Sequence, residues 1–418
     1  MNRWLITNAR LINEGTITET DIRVRGRNIE RIEPGLRSML GETVVDAAGR
    51  YLLPGMIDDH VHFREPGPTR KGNIATESRA AVAGGITSYL DMPNTSPPTT
   101  TRQALATKFS RASGRSTANY SFYLGATGDN LDEIRATRPG EACGLKVFMG
   151  PTPGNLRVDH PDTLAGIFEH SPLLVAAHCE DTATIEANHA AALRHYGREI
   201  PPHAHAEIHS REACLKASRL AMELARMYGT RLHVLHLSTA EEMALFEPGP
   251  VAEKRITGEA CIHHLYFMED DYAELGNRLK CNPSIKTAAD RKALRRALRE
   301  NRLDIIGTDH APHLPAEKNG AYERAAAGLP LAQYALPAAW SLVASRMLTP
   351  EQLIEKIAHN PARRFGIEKR GFVREGYRAD LVMIDDRRRS DVDRQPMLSQ
   401  CGWTPFAGRR LPATVAAT

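Results

Sequence analysis

The chain has 418 residues, of which 42% are hydrophobic and 25% are charged, as is ordinary for a globular protein. Its 54 basic and 50 acidic residues leave a net charge of +4, which gives no surface suited to nucleic acid or to an anionic membrane. No apolar run is long enough for a signal peptide or a membrane span, and the six cysteines lack a C-x-x-C pair, so we expect a cytoplasmic protein with free thiols.

The two ends of the chain share a sequence pattern that is typical of short β-strands. Residues 22–24 and 29–32 mix apolar and polar side chains at short range, and glycines separate these runs. Residues 380–385, near the other end, are also strand-like. Because a different pattern lies between them, we predict a small composite β-sandwich domain built from residues 1–53 and 368–418.

Residues 54–367 alternate apolar, strand-like runs with helix-like segments. In the segment 288–301, for example, Leu294 and Leu298 lie four residues apart among arginines and lysines, which is helical spacing. Eight alternations of this kind predict an α/β fold in which residues 54–367 form a (β/α)8 TIM barrel. A doubly wound sheet is the alternative, but no G-x-G-x-x-G motif follows the first strand.

Potential metal ligands fall where the predicted barrel strands end, which is where such barrels carry their active sites. His60 and His62 are two residues apart on an extended segment, so both imidazoles face the same side and form a good half-site for zinc. One histidine at a strand end is more often an ordinary core residue. The full set favours a metal site: His60, His62, Lys146, His178, His236 and Asp309.

Six motifs in order along the barrel carry a resemblance to a known family. They are H-V-H-F-R-E-P-G at 60–67, M-P-N-T at 92–95, G-L-K-V-F-M-G at 144–150, A-A-H-C-E at 176–180, H-L-S-T at 236–239 and G-T-D-H-A-P-H at 307–313. By these motifs the chain resembles the dihydroorotases of the amidohydrolase superfamily. The resemblance implies a binuclear cyclic amidohydrolase that interconverts N-carbamoyl-L-aspartate and L-dihydroorotate in pyrimidine (UMP) biosynthesis.

The same resemblance implies two Zn²⁺ ions per subunit and a role for each ligand. His60, His62 and Asp309 would hold one ion, and His178 and His236 would hold the second. Lys146 would bridge both as a carboxylated lysine, since a free ammonium group beside two dications would be strongly repelled. Asp309 would also be the catalytic group that transfers the proton.

The substrate contacts implied by the resemblance lie in the loops that follow the strands. Arg64, Asn94 and His313 would bind the carboxylate of dihydroorotate, and Arg64 suits a bidentate pair with it. The ring amide would face Asn282 and the backbone of Ala327 and Gly328, and His62 would also contact the substrate. We expect the segment 314–328 to be a mobile cover over the site.

Other cyclic amidases, such as allantoinases and hydantoinases, share the metal ligands and are the nearest alternative. Arg64, M-P-N-T and the last histidine of H-A-P-H favour a dihydroorotase, because allantoin has no ring carboxylate. A non-catalytic homologue that serves as a scaffold for aspartate transcarbamoylase is a third possibility, although such homologues typically lose metal ligands. We expect a homodimer and allow an association with aspartate transcarbamoylase, whereas residues 386–418 suggest no role.

Overall fold

The chain begins with strands that turn back on one another at glycine-containing hairpins. In the computed structural model, which describes residues 3–152 and 154–418, Gly15 and Gly26 occupy hairpin turns with positive φ. The first five strands are β1 (Arg3–Asn13), β2 (Thr16–Arg25), β3 (Asn28–Glu33), β4 (Thr43–Asp46) and β5 (Tyr51–Pro54).

Eight parallel strands follow and form the barrel that the sequence predicts. Their ends lie within two residues of the predicted positions, and they pair in sequence order. The ring is completed where Val61 pairs with His310 and the His62 N–H donates to the His310 backbone oxygen. The strands are β6 (Met56–Val61), β7 (Ile86–Asp91), β8 (Asn119–Gly125), β9 (Gly144–Phe148), β10 (Val175–His178), β11 (Leu232–Val234), β12 (Ile256–Cys261) and β13 (Ile305–Gly307).

Helices connect and follow the barrel strands, and local sequence signals set several of their ends. Thr287, for instance, caps the helix predicted over 288–301, and Leu294 and Leu298 are buried on its inner face. The helices are α1 (Ile74–Ala83), α2 (Arg102–Ala112), α3 (Leu131–Ala136), α4 (Pro161–His170), α5 (Thr182–Tyr196), α6 (His205–Ile208), α7 (Arg211–Tyr228), α8 (Ile262–Tyr266), α9 (Tyr272–Leu275), α10 (Ala288–Arg299), α11 (Pro315–Lys318), α12 (Ala335–Ala339), α13 (Ser341–Ala344), α14 (Pro350–Ile354) and α15 (Asn360–Arg364). Among the described residues, no helix is both long enough and apolar enough to cross a membrane.

The end of the chain returns to the first strands. The last strands are β14 (Leu381–Asp385), β15 (Ser390–Asp391), β16 (Arg410–Leu411) and β17 (Thr414–Ala417). β14 pairs with β5 on one side and β17 on the other, so both termini contribute to one seven-stranded sheet.

The prediction for this part of the chain was a small composite β-sandwich domain. Its seven strands are joined by hydrogen bonds, and β1 pairs with β4 along its first half and with β5 along its second. The assignment of residues 1–53 and 368–418 to a domain of their own stays a prediction. The sheet has its own apolar core, which includes Leu11, Ile22 and Met383. The assignment of residues 54–367 to a separate domain stays a prediction.

Candidate metal centre and active site

A cavity of about 450 Å³ lies at the C-terminal ends of the barrel strands. Every side chain and backbone segment that the sequence assigned to metal or substrate contributes to its wall. The lining residues include His60, His62, Arg64, Asn94, Lys146, His178, His236, Asn282, Asp309, His313, Ala327 and Gly328. Residues from seven of the eight barrel strands, or from the loops that follow them, therefore meet at one site.

His60, His62 and Asp309 form the first group of potential ligands. Oδ1 of Asp309 lies 3.2 Å from Nε2 of His60 and 2.9 Å from Nε2 of His62. All three residues are buried. Burial alone would raise the pKa of Asp309, but the charge of His60 and the hydrogen bond with His62 outweigh it and hold that pKa well below its usual range. A carboxylate beside two imidazoles matches the donor set that zinc prefers.

His178 and His236 form the second group, on the adjoining strands. Nδ1 of His178 lies 2.8 Å from Nε2 of His236, so the two rings converge. The other nitrogen of His178 is held by Oε2 of Glu180 at 2.9 Å, which fixes the ring so that Nδ1 faces the cavity. Glu180 is itself fixed, because its Oε1 lies 2.8 Å from Nδ1 of His209.

Lys146 lies on β9 with its side chain in the same cavity, and its amino group is unsatisfied. The residue is fully buried, and among the described residues no hydrogen-bond partner meets its Nζ. Its nearest aromatic neighbour is Phe148, whose ring centre is 4.5 Å away. Burial lowers the pKa of Lys146 to about 8. An unpaired, buried ammonium group is costly, so this position fits a lysine that carries an added anionic group and binds metal through it.

Two further contacts set the ring orientation of the first histidine pair. Oε1 of Glu259 lies 3.2 Å from Nδ1 of His60, which leaves Nε2 of that ring for the metal side. Nδ1 of His62 lies 2.7 Å from Oδ1 of Asn94, so the His62 ring donates to the amide oxygen. The side-chain nitrogen of Asn94 then remains available to the cavity.

Three of the predicted site residues have left-handed backbone conformations, which non-glycine residues rarely adopt. The φ angles are 66° at Arg64, 37° at His236 and 49° at Asp309. Each residue stands just after a barrel strand, where the chain turns out of the sheet. Such strain persists where the surrounding structure over-determines it, and it is concentrated at functional sites.

Arg64 and His313 form a preorganised pair at the edge of the cavity. Nε of Arg64 donates to the Pro312 backbone oxygen at 3.1 Å, and its Nη2 lies 3.1 Å from Nε2 of His313. Nζ of Lys71 lies 3.0 Å from the other ring nitrogen. Burial, followed by the charges of Arg64 and Lys71, holds the pKa of His313 far below its usual range, so this ring is neutral. The cluster therefore presents positive charge and suits an anionic ligand group.

Another part of the cavity wall, next to His313, is built by Asn282 and the backbone of Ala327 and Gly328. Gly328 has a φ of 135°, and a side chain there would clash with the Ala311 backbone oxygen. The buried Lys318 ties this wall in place, because its Nζ donates to the backbone oxygens of Lys280, Ala326 and Gly328. The segment 314–328 is thus anchored at several points, and its proposed opening stays a prediction.

The C-terminal segment, for which the sequence suggested no role, contacts the substrate wall. Nε1 of Trp403 donates to the His313 backbone oxygen at 2.7 Å. Glu77, on α1, accepts hydrogen bonds from Oγ of Ser399 and from the Gln400 N–H, which fasten the segment to the barrel. Residues 399–403 therefore support the loop that carries His313.

The sequence did not single out Glu180, Glu259, Lys71 and Trp403 as site residues. Glu180 stands inside the A-A-H-C-E motif, so the motif itself held a signal for it. Trp403 reaches the site across 90 positions of sequence, and no local pattern predicts such a contact.

The fold and the site together define a metal-dependent hydrolase built on a (β/α)8 barrel. The sequence profile of the amidohydrolase family matches residues 51–408, and the chain belongs to this family. The predicted relationship to dihydroorotases is confirmed, since the dihydroorotase of Methanosarcina acetivorans is 31% identical over 96% of this chain and 88% of that enzyme. The coarser class, a hydrolase of cyclic amides, follows from the same comparison.

Two other relatives belong to neighbouring activities. The allantoinase of Bacillus velezensis is 30% identical over 99% of this chain and 92% of that enzyme. The solved structure of the L-hydantoinase (dihydropyrimidinase) from Arthrobacter aurescens has a TM-score of 0.91 and 26% identity, and the match covers 99% of this chain and 94% of that one. The barrel fold alone therefore does not separate these activities.

Proposed function

We propose that the protein is a dihydroorotase that interconverts L-dihydroorotate and N-carbamoyl-L-aspartate. The observation that carries this proposal is the positively charged cluster of Arg64, Lys71 and the neutral His313 beside the metal ligands. A ring that bears a carboxylate places its anion at this cluster while its amide faces the metal ligands. A neutral ring leaves the Arg64 guanidinium without an anionic partner.

Two Zn²⁺ ions would be held by the residues that converge in the cavity. His60, His62 and Asp309 would bind one ion, His178 and His236 the other, and carboxylated Lys146 would bridge them. When bound, the ions would acidify a water molecule and polarise the scissile carbonyl group. The unsatisfied Nζ of Lys146 and the converging nitrogens of the four histidines support this assignment.

The environment of Lys146 favours the reaction of its amine with carbon dioxide. Only the neutral amine is a nucleophile, and burial lowers the pKa of Lys146 to about 8. About a tenth of such side chains are uncharged at pH 7, against about one in 2,500 for an ordinary lysine. The amine attacks the carbon of carbon dioxide and loses a proton, which yields an anionic carbamate with two oxygen ligands.

Asp309 is placed to move the proton that the reaction requires. Its Oδ1 faces both His60 and His62, which leaves Oδ2 to accept a proton from the attacking water. The same oxygen then returns the proton to the departing ring nitrogen. In ring closure, the groups act in the reverse order.

The substrate is oriented by two sets of groups that line the cavity. Arg64, Asn94 and His313 bind the carboxylate, with His62 beside them. Asn282 and the backbone at Ala327 and Gly328 receive the ring amide. Holding both ends of the ring fixes the scissile bond relative to Asp309.

The test is hydrolysis of L-dihydroorotate by the zinc-loaded protein, with allantoin and dihydrouracil measured in parallel. We expect dihydroorotate to be preferred, because it alone among these rings carries a carboxylate. Faster turnover of allantoin or dihydrouracil would indicate an allantoinase or a hydantoinase instead. Relatives with both of these names are similar to this chain. Metal binding without turnover of any ring would favour the scaffold alternative.

The assembly and location of the enzyme stay predictions from sequence. A homodimer, an association with aspartate transcarbamoylase and a cytoplasmic location are all compatible with a step in pyrimidine biosynthesis.

A further inference from the structure

His205 is a buried histidine outside the predicted set of metal and substrate ligands. It is the first residue of α6 and has 0% exposure. Its Nε2 lies 2.8 Å from the Cys281 backbone oxygen and 3.1 Å from Oδ1 of Asn282, and its Nδ1 lies 2.7 Å from Oη of Tyr322. His205 therefore contacts both the loop that carries Asn282 and the segment 314–328.

These contacts fix the ring proton of His205. Burial, with the charges of His209 and Lys280, holds its pKa well below the usual range, so the ring is neutral. The two groups that face Nε2 are carbonyl oxygens, which only accept hydrogen bonds, so Nε2 carries the hydrogen. Nδ1 is then an acceptor, and the hydroxyl group of Tyr322 donates to it.

We propose that His205 is a positioning residue that orients the carboxamide of Asn282 for the substrate and ties the segment 314–328 to the same loop. With Oδ1 of Asn282 held by His205, Nδ2 is the end that faces the cavity and donates to a carbonyl oxygen of the substrate ring. Without His205, the carboxamide is free to rotate and Nδ2 is no longer held towards the cavity. This inference rests on the proposed function, because the ligand of Asn282 is the amide of a cyclic substrate.

The contacts around Tyr322 strengthen this coupling. Tyr322 is 5% exposed, and its backbone oxygen accepts a hydrogen bond from Nζ of Lys280 at 2.8 Å. The Gly328 N–H donates to the Lys280 backbone oxygen at 2.9 Å. Lys280 stands two residues before Asn282, so the segment that forms the Gly328 wall is bound to the Asn282 loop, and His205 contacts both.

A double-mutant cycle between His205 and Asn282 tests the proposal in the full-length, zinc-loaded protein. We expect His205→Leu to raise KM about 5- to 10-fold, the size of one lost hydrogen bond, with a smaller change in kcat and an unchanged metal content. In the Asn282→Ala background, the same substitution should change KM by less than about twofold, because the group that it positions is gone. Equal fold-increases in the two backgrounds, or no increase in either, would overturn the proposal.

Two variants separate positioning from a general structural effect. His205→Gln retains an N–H donor close to the place of Nε2 and should recover most of the lost affinity. His203→Leu changes an exposed histidine in the same segment and should behave like the wild type. If His205→Gln were as impaired as His205→Leu, the donor role would be wrong.

A second measurement does not depend on turnover. It tests the proposal even if His205→Leu does not fold or if the protein hydrolyses no cyclic amide. ¹⁵N-histidine labelling, with the His205 signals assigned from their loss in His205→Gln, should show a neutral ring protonated at Nε2, and Tyr322→Phe should shift the Nδ1 signal. A charged ring or protonation at Nδ1 would overturn the proposal. Absence of turnover with the expected tautomer would count against the proposed function and leave the positioning role supported.

Discussion

Replacing Arg64 with methionine should convert the proposed preference for a charged ring into near indifference. Methionine keeps much of the length and apolar contact of the arginine side chain but removes the charge and the donors. Arg64 is held before the substrate arrives, because Nε donates to the Pro312 oxygen and Nη2 meets His313. The loss should therefore fall on the substrate contact, since little energy is spent on ordering the side chain.

The size of the effect follows from the hydrogen bonds that remain available. With Nε and part of Nη2 in use, we assign one or two charge-assisted hydrogen bonds to the substrate carboxylate. Bonds of this kind contribute about 1.5–3 kcal/mol each, so we take about 2–4 kcal/mol in all. This free energy corresponds to a loss of about 30- to 1,000-fold in kcat/KM for dihydroorotate.

The assay compares kcat/KM for L-dihydroorotate and for dihydrouracil, a ring of the same kind without the carboxylate. For dihydrouracil, Arg64→Met should leave kcat/KM unchanged or raise it, because no charged pair is lost and a buried, unpaired guanidinium is removed. Arg70→Met is the matched control, since Arg70 lies on the same loop with its side chain 64% exposed. Equal losses on both substrates would refute the assignment of Arg64 to the carboxylate.

Three further outcomes are expected. Asp309→Asn should retain most of the metal, measured by mass spectrometry, and lower kcat by about 10²- to 10⁴-fold because the amide cannot carry the proton; near-normal turnover would contradict this role. Chelated enzyme given zinc in buffer free of carbon dioxide should regain little activity. At one fixed concentration of dissolved carbon dioxide, activity should return faster at pH 9 than at pH 7, since deprotonation of Lys146 with a pKa of about 8 supplies the reacting amine. A restoration rate independent of carbon dioxide would argue against the carbamate. Trp403→Phe should raise KM for dihydroorotate about fivefold through loss of the bond to the His313 oxygen, and an unchanged KM would show that this bond does not position the loop.

Local patterns were sufficient to predict the barrel, and they pointed to the side chains that line its cavity. The apolar runs that end at His60 and His178 match β6 and β10, and the periodicity over 288–301 matches α10. Strand ends meet at one edge of a closed parallel sheet, so ligands far apart in sequence must converge once the fold is known. The pairing of β1 with both β4 and β5 was not predicted, because local patterns do not show which strands a long strand pairs with.

The residues that hold the site residues in place could not be predicted from local sequence patterns. His205, Glu259 and Trp403 act through partners 77, 199 and 90 positions away, and their side chains have ordinary local contexts. The left-handed backbone at Arg64 and Asp309 was equally hidden, since arginine and aspartate give no sequence signal for positive φ. These backbone conformations are stabilised by surrounding residues that only the three-dimensional structure reveals.

Substrate choice in this enzyme should depend on whether the Arg64 guanidinium is left unpaired as much as on the contacts that the substrate forms. The metal ligands would serve any cyclic amide, and relatives with other activities share the fold. Unlike the metal ligands, the cluster at the cavity edge would select for a charged ring, because Arg64 and Lys71 flank a neutral His313. Glu317 balances part of this positive charge, at 3.1 Å from Lys71. A neutral ring would cover the Arg64 guanidinium without pairing it, and a buried unpaired charge is penalised more than a missing contact. Discrimination against allantoin-like rings therefore comes from this penalty, and loss of the guanidinium should make neutral rings better substrates relative to dihydroorotate.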